Sequence, residues 1–83
     1  MNDAQLEIFP DRIRIERREP KHNRHRFYRM YVQPDLFGGC ALFREWGRIG
    51  TAGRQVREVF ADEGQAADAL VSVFRKKRRR GYQ

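Results

Sequence analysis

Glycine- and proline-bearing breaks at residues 34–39 (PDLFGG) and 50–53 (GTAG) constrain this 83-residue chain more than any other feature. They cut its middle into short runs, and residues of this kind supply the positive φ and fixed φ that turns need. The runs between them, residues 26–33 (RFYRMYVQ), 40–48 (CALFREWGR) and 54–60 (RQVREVF), carry the aromatic and β-branched content of strands. Within residues 40–48, alternation places Leu42, Arg44, Trp46 and Arg48 on one face, with Ala41, Phe43 and Glu45 on the other. Successive short strands joined by tight turns predict an antiparallel meander.

Upstream, residues 6–9 and 12–18 read as strand material broken by Pro10, with Ile13 and Ile15 alternating against Arg12, Arg14 and Glu16. A polar connection follows over residues 19–25. Downstream the period changes. Asp62 is an N-cap with Glu63 in the first turn, and Ala66, Ala67, Leu70, Val73, Phe74 and Lys77 recur at helical spacing. Leu70, Val73 and Phe74 form the expected core face. Cations at residues 75–80 (RKKRRR) suit the carboxyl end of the helix dipole, and Gly81 ends the helix. The chain reads as one domain over residues 1–83, with ends expected to fray at 1–5 and 79–83.

A chain this short builds one core and leaves little room for a cofactor cavity. Its formal net charge of +7 points to an anionic partner, because a basic surface concentrates polyanions around it. Cys40 is the single cysteine, so no intramolecular disulfide forms and a reducing, cytoplasmic setting is expected. No apolar run reaches the length of a membrane span, and the first residues lack the pattern of a signal peptide.

Catalytic chemistry is poorly represented. Ser72, the single serine, falls within the helix with no histidine near it in sequence, and nothing beside Cys40 activates its thiol. His22 and His25 lack the further ligands a metal site needs. The glycines at 47, 50 and 53 lie between two strands and read as a hairpin turn, not as a dinucleotide loop. No enzyme activity, cofactor or metal is expected.

Cations interleaved with aromatics are the stronger signal. Along residues 24–29 (RHRFYR) and 44–48 (REWGR), phosphate contact and stacking on a base or sugar lie side by side. Phe27, Tyr28, Tyr31 and Phe43 read as core aromatics of a small domain. Trp46 reads equally as core and as a stacking platform. Which of Phe27, Arg29 and Tyr31 lies beside it depends on strand register.

Trp46-Gly47-Arg48-Ile49-Gly50-Thr51 resembles the signature of the WGR domain, named for its Trp-Gly-Arg. Phe27-Tyr28 followed by Met30 and Val32 is similar to that domain's first hairpin strand, and Leu42-Phe43-Arg44-Glu45 to the strand that delivers the signature. Ala66, Leu70, Val73 and Phe74 match its helix, and Lys77 with Gly81-Tyr82 its Lys and terminal aromatic. The resemblance implies an α+β fold, a small antiparallel sheet with one C-terminal helix packed on it. WGR domains occur in DNA-dependent poly(ADP-ribose) polymerases, in bacterial proteins of the molybdate metabolism regulator type, and as short stand-alone bacterial proteins; this chain looks like the last group.

By the same resemblance, Trp46 is expected to pack on the sugar at a DNA strand end and Arg48 to touch the DNA, with Gly47 between them. Arg44, Arg54 and Arg57 extend the basic surface if they share that face, and Lys76, Lys77, Arg78 and Arg79 add sequence-independent attraction. ADP-ribosyl transfer is not implied, since no polymerase domain is present in the sequence. Three features depart from the family pattern: Arg78-Arg79-Arg80 in place of polar residues, apolar Leu36 and Phe37 at a turn tip, and no neighbouring domain to receive a signal from Arg48. The expectation is a non-catalytic module binding DNA ends or breaks, with RNA also open. The alternative is a protein-interaction adaptor that docks a separately encoded enzyme.

Overall fold

The computed structural model describes residues 12–83, so the expected strand at 6–9 and the expected fraying at 1–5 lie outside the described residues. Strands β1 (Arg12–Glu19), β2 (Arg24–Pro34), β3 (Cys40–Arg48) and β4 (Arg54–Phe60) form one antiparallel sheet in the order β1-β2-β3-β4. Helix α1 (Glu63–Arg79) follows. This is the expected meander and the expected α+β fold.

The two central turns fall where the glycines placed them. The β1–β2 connection is shorter than the 19–25 segment read from sequence. Pro20–His22 form a single 3-10 turn, and Asn23 closes it at φ 50°, donating its backbone N–H to the Pro20 carbonyl at 3.0 Å. Asn tolerates this left-handed conformation, which lets both strands run into the polar segment.

One face of the sheet is covered by α1. Ile15, Tyr28, Met30 and Leu42 point to it and pack with Leu70 and Tyr82, with Ile13, Val32, Phe60, Val73 and Phe74 around them. Met30 and Leu42 are wholly buried, each contributing about 1.5–3 kcal/mol by burial. Asp62 caps α1 as expected, its Oδ1 accepting from the Gln65 N–H at 2.9 Å. Leu70 is buried and Val73 and Phe74 are half-buried, as the helical period requires.

The core reading of the aromatics holds for Phe27 and Tyr28 but not for Tyr31 and Phe43. Those two stack on the helix-free face, ring centroids 5.0 Å apart, because their parity is opposite to that of Tyr28 and Met30. Glu45 joins them, accepting from Arg29 at 2.5 Å and from Gln55 at 2.7 Å.

Residues 81–83 are hydrogen-bonded to α1 and β1. Gly81, at φ 99°, donates to the Arg78 carbonyl, and the Tyr82 N–H donates to the Lys77 carbonyl, both at 3.1 Å. This is a Schellman closure, and it folds the chain back on the sheet. Tyr82 is buried edge-on against Tyr28, and the Gln83 backbone exchanges two 2.9 Å hydrogen bonds with Glu16 of β1. Arg79 lies in the last turn of α1, and Arg80 caps it.

Candidate nucleic-acid interface

Strand register assembles this site. Arg17 of β1 lies opposite Arg26 of β2, and Arg26 lies opposite Arg48 of β3, so three arginines cross the sheet in one row. The row beside it, on the same face, runs Ile15, Tyr28, Trp46 and Arg54. Opposed residues sit roughly 4.5–5.5 Å apart at Cα, and like charges directly opposite are destabilising. A row of three guanidiniums is thus a cost that the fold alone does not require.

Tyr28, and none of Phe27, Arg29 and Tyr31, is the cross-strand neighbour of Trp46. Those three have the parity of the other face. The Tyr28 and Trp46 rings stack 5.6 Å apart at an interplanar angle of 10°, and the Arg44 guanidinium lies 5.9 Å from the indole centroid. Trp46 is half-buried: one side packs on the core cluster and the rest lines a concavity.

That concavity is walled by Tyr28, Trp46 and Tyr82, with Arg17, Arg24 and Arg26 from the sheet and Lys77 and Arg80 from the helix end. Among the described residues no carboxylate lines it. Lys77 sits 4.6 Å from the Tyr28 ring centroid and 5.7 Å from that of Tyr82. Partial burial, with Arg80 and Arg44 close by, lowers its pKa from the ordinary lysine value, so an arriving anion relieves an existing repulsion. Glu19 stands just outside, accepting from Arg17 at 3.0 Å and pairing with Arg24 at 3.3 Å. Its carboxyl is held below the usual range, first by the Arg17 hydrogen bond.

Gly47 is placed by a close crossing. A Cβ there would lie 2.7 Å from the Gly53 Cα, so the chain leaving β3 and the chain entering β4 pass too near for any side chain. The Thr51 hydroxyl donates to the Arg48 carbonyl at 2.7 Å, and the Ile49 N–H donates to the His25 carbonyl at 2.9 Å. These bonds fix the end of β3, and Arg48 projects there as an exposed residue beside His22, Asn23, Arg24, His25 and Arg26.

The remaining sequence candidates separate. Arg44, on the same face as Trp46, is tied to Tyr28 Oη at 3.2 Å and to Glu58 at 3.1 Å and is not among the residues that line the cradle. Arg54 is exposed at the end of the aromatic row. Arg57 does not share this face: it lies opposite Phe43, and its guanidinium pairs with Asp35. Arg79 lines the outer side of α1 with Asp68, Ser72 and Arg75, and Arg78 packs on Phe74. Lys76 is exposed, so of the helix-end cations predicted from sequence only Lys77 lines the cradle.

Arg17 is absent from the sequence-based candidates, while Arg24 and Arg26 enter there only through the 24–29 run of cations and aromatics and Arg80 only through the departure at 78–80. The parity that put Ile15 and Tyr28 inward also puts Arg17 and Arg26 there, and that signal was available. The fold-back that brings Arg80 and Tyr82 to the sheet was not.

A Trp-Gly-Arg at the end of the third strand, joined to a helix whose end folds back on the sheet, places the chain among known domains, and the WGR domain family matches residues 11–83. The chain belongs to the WGR domain family. This WGR domain is 41% identical over 83 residues to a protein of Sinorhizobium fredii (strain NBRC 101917 / NGR234) described as "Uncharacterized protein y4dW". The match covers 99% of this chain and 41% of that protein, so the domain spans about two fifths of its relative. No solved structure matches. Among the described residues no group of three His, Cys, Asp or Glu is placed to hold a metal, and no helix is long and apolar enough to cross a membrane.

Proposed function

We propose that this WGR domain is a non-catalytic nucleic-acid-binding module, and that its cradle takes the end of a DNA strand. The reading rests on one observation above the others: the Arg17-Arg26-Arg48 row beside the Tyr28-Trp46 stack, with Arg17 and Arg26 lining a concavity that has no carboxylate among the described residues and Arg48 lining its neighbour at the β1–β2 turn. Like charges held in register at a cost to stability are compensated when a phosphate backbone lies over them. The exposed part of the indole offers a flat surface for a terminal sugar or base, worth about 1–3 kcal/mol. Arg48, Arg26 and Lys77 would hold the adjoining phosphates. RNA shares both chemistries and is an arm of the test.

The experiment is fluorescence anisotropy with a blunt duplex, a nicked duplex, a hairpin-closed duplex and a single-stranded RNA, for wild type and Trp46→Ala. Preference for free DNA ends that disappears in the variant supports the assignment. Equal binding to all four in both proteins removes Trp46 from recognition.

A second reading is supported at the far end of the sheet. Leu36 and Phe37 are 96% and 92% exposed on a turn braced by Asp35, which accepts from the Phe37 N–H at 3.2 Å and pairs with Arg57. A fixed, exposed apolar tip fits a protein contact, as an adaptor docking a separate enzyme would need. Retrieval of a protein after nuclease treatment by wild type, and not by Leu36→Ser/Phe37→Ser, is the expected result.

A further inference from the structure

The two histidines of the chain acquire a place here that metal chemistry does not give them. His22 and His25 meet Arg24, Arg26, Arg48 and Asn23 around a second concavity, at the β1–β2 turn. Among the described residues its lining contains three guanidiniums, two imidazoles and one carboxamide, and no carboxylate. Arg24 and Arg26 also line the aromatic cradle, so the two concavities share a wall of two arginines.

The scaffold under this second concavity is fixed. Asn23 is the one non-glycine with positive φ among the described residues, and its N–H is bonded to Pro20. The carbonyl of His25 accepts from Ile49, tying the end of β3 to the turn.

We propose that this concavity is a second phosphate subsite, and that protons on His22 and His25 strengthen its hold on the strand bound in the cradle. The inference rests on the nucleic-acid reading above and adds a path: the strand crosses from the aromatic cradle, over Arg26, to the β1–β2 turn. Imidazole is the ordinary side chain that changes charge between about pH 5 and 8. The charged groups around the pair are Arg18, opposite His25 in register, Lys21 and Glu19 next to His22 in the turn, and Arg24, Arg26 and Arg48. An anion held between the rings and the guanidiniums is attracted more strongly by a charged imidazole than by a neutral one. Proton uptake and phosphate binding are thereby linked: affinity rises as pH falls.

Duplex affinity is measured by anisotropy at constant ionic strength, at about pH 8 and about pH 5.5. Wild type is expected to gain about fivefold for each imidazole that meets the phosphate, the factor for unit charges about 4 Å apart in water. His22→Gln/His25→Gln is expected to lose the gain that wild type shows on going to the lower pH. An equal gain in both proteins, or an equal loss at both pH values, overturns the subsite. In parallel, proton NMR follows the two imidazole titrations with and without inorganic tripolyphosphate. Upward movement of both midpoints is expected, and unmoved midpoints overturn the subsite whatever the duplex result. Failure of wild type to bind any duplex while the midpoints still move would count against the proposed function and leave the phosphate subsite standing.

Discussion

Neutralising Arg26 and Arg80 together tests whether binding runs through the cradle or through general basicity. The cradle is lined by five cations, Arg17, Arg24, Arg26, Lys77 and Arg80, and Glu19 already engages two of them. Neither Arg26 nor Arg80 forms an ion pair with another described residue. Taking about four phosphates as neutralised in the wild type, log affinity for duplex DNA falls with log salt at a slope of about −3.6. Between about 50 and 200 mM salt that is a loss of roughly 150-fold. In Arg26→Gln/Arg80→Gln about two contacts remain, the slope drops to about −1.8, and the same change in salt costs only about 12-fold. Arg75→Gln/Arg79→Gln removes the same charge from the outer side of α1, away from the cradle, and is expected to leave the slope near the wild-type value. Anisotropy titrations at four salt concentrations read all three slopes. Equal reduction by the two double variants would refute the reasoning, because net charge and not its placement would then govern binding.

Trp46→Ala should weaken binding to DNA ends by about 1–3 kcal/mol, or about 5- to 150-fold, with little change in salt slope. Trp46→Phe, which keeps a ring over Tyr28, should recover part of that loss, and thermal melting separates binding from the lost stack. Gly81→Ala places a side chain at φ 99° and is expected to cost at least about 1–2 kcal/mol, seen as a lower Tm and faster exchange at the Gln83 amide. Acid should destabilise the fold through Asp35, Glu16 and Glu19. Their carboxyls are held below ordinary values by hydrogen bonds from Arg57, Arg18 and Arg17 respectively, so their contribution is present above the unfolded carboxylate range. It fades as pH falls from that range through the lower folded values, and denaturant midpoints against pH should drop less in Asp35→Asn than in wild type.

Most of the fold was legible along the chain. The glycine-bearing breaks fixed two hairpins, the alternation from Leu42 to Arg48 fixed the faces of β3, and Asp62 and Gly81 bounded the helix, because turn conformation, side-chain parity and capping are local properties of backbone and sequence. Trp46, Gly47 and Arg48 were legible through the signature they carry. What only the tertiary structure decided was registry and return. Sliding β2 by one residue would exchange Tyr28 for Phe27 beside Trp46 and break the row of Arg17, Arg26 and Arg48, and that choice is made by packing Met30 and Leu42 under α1. Likewise, the cations at 75–80 look alike in sequence, yet the helical turn and the fold-back at Gly81 send Lys77 and Arg80 to the cradle and Arg79 to the outer side of the helix. Charge is set by the residue, but its place on the surface is set by contacts between segments far apart in the chain.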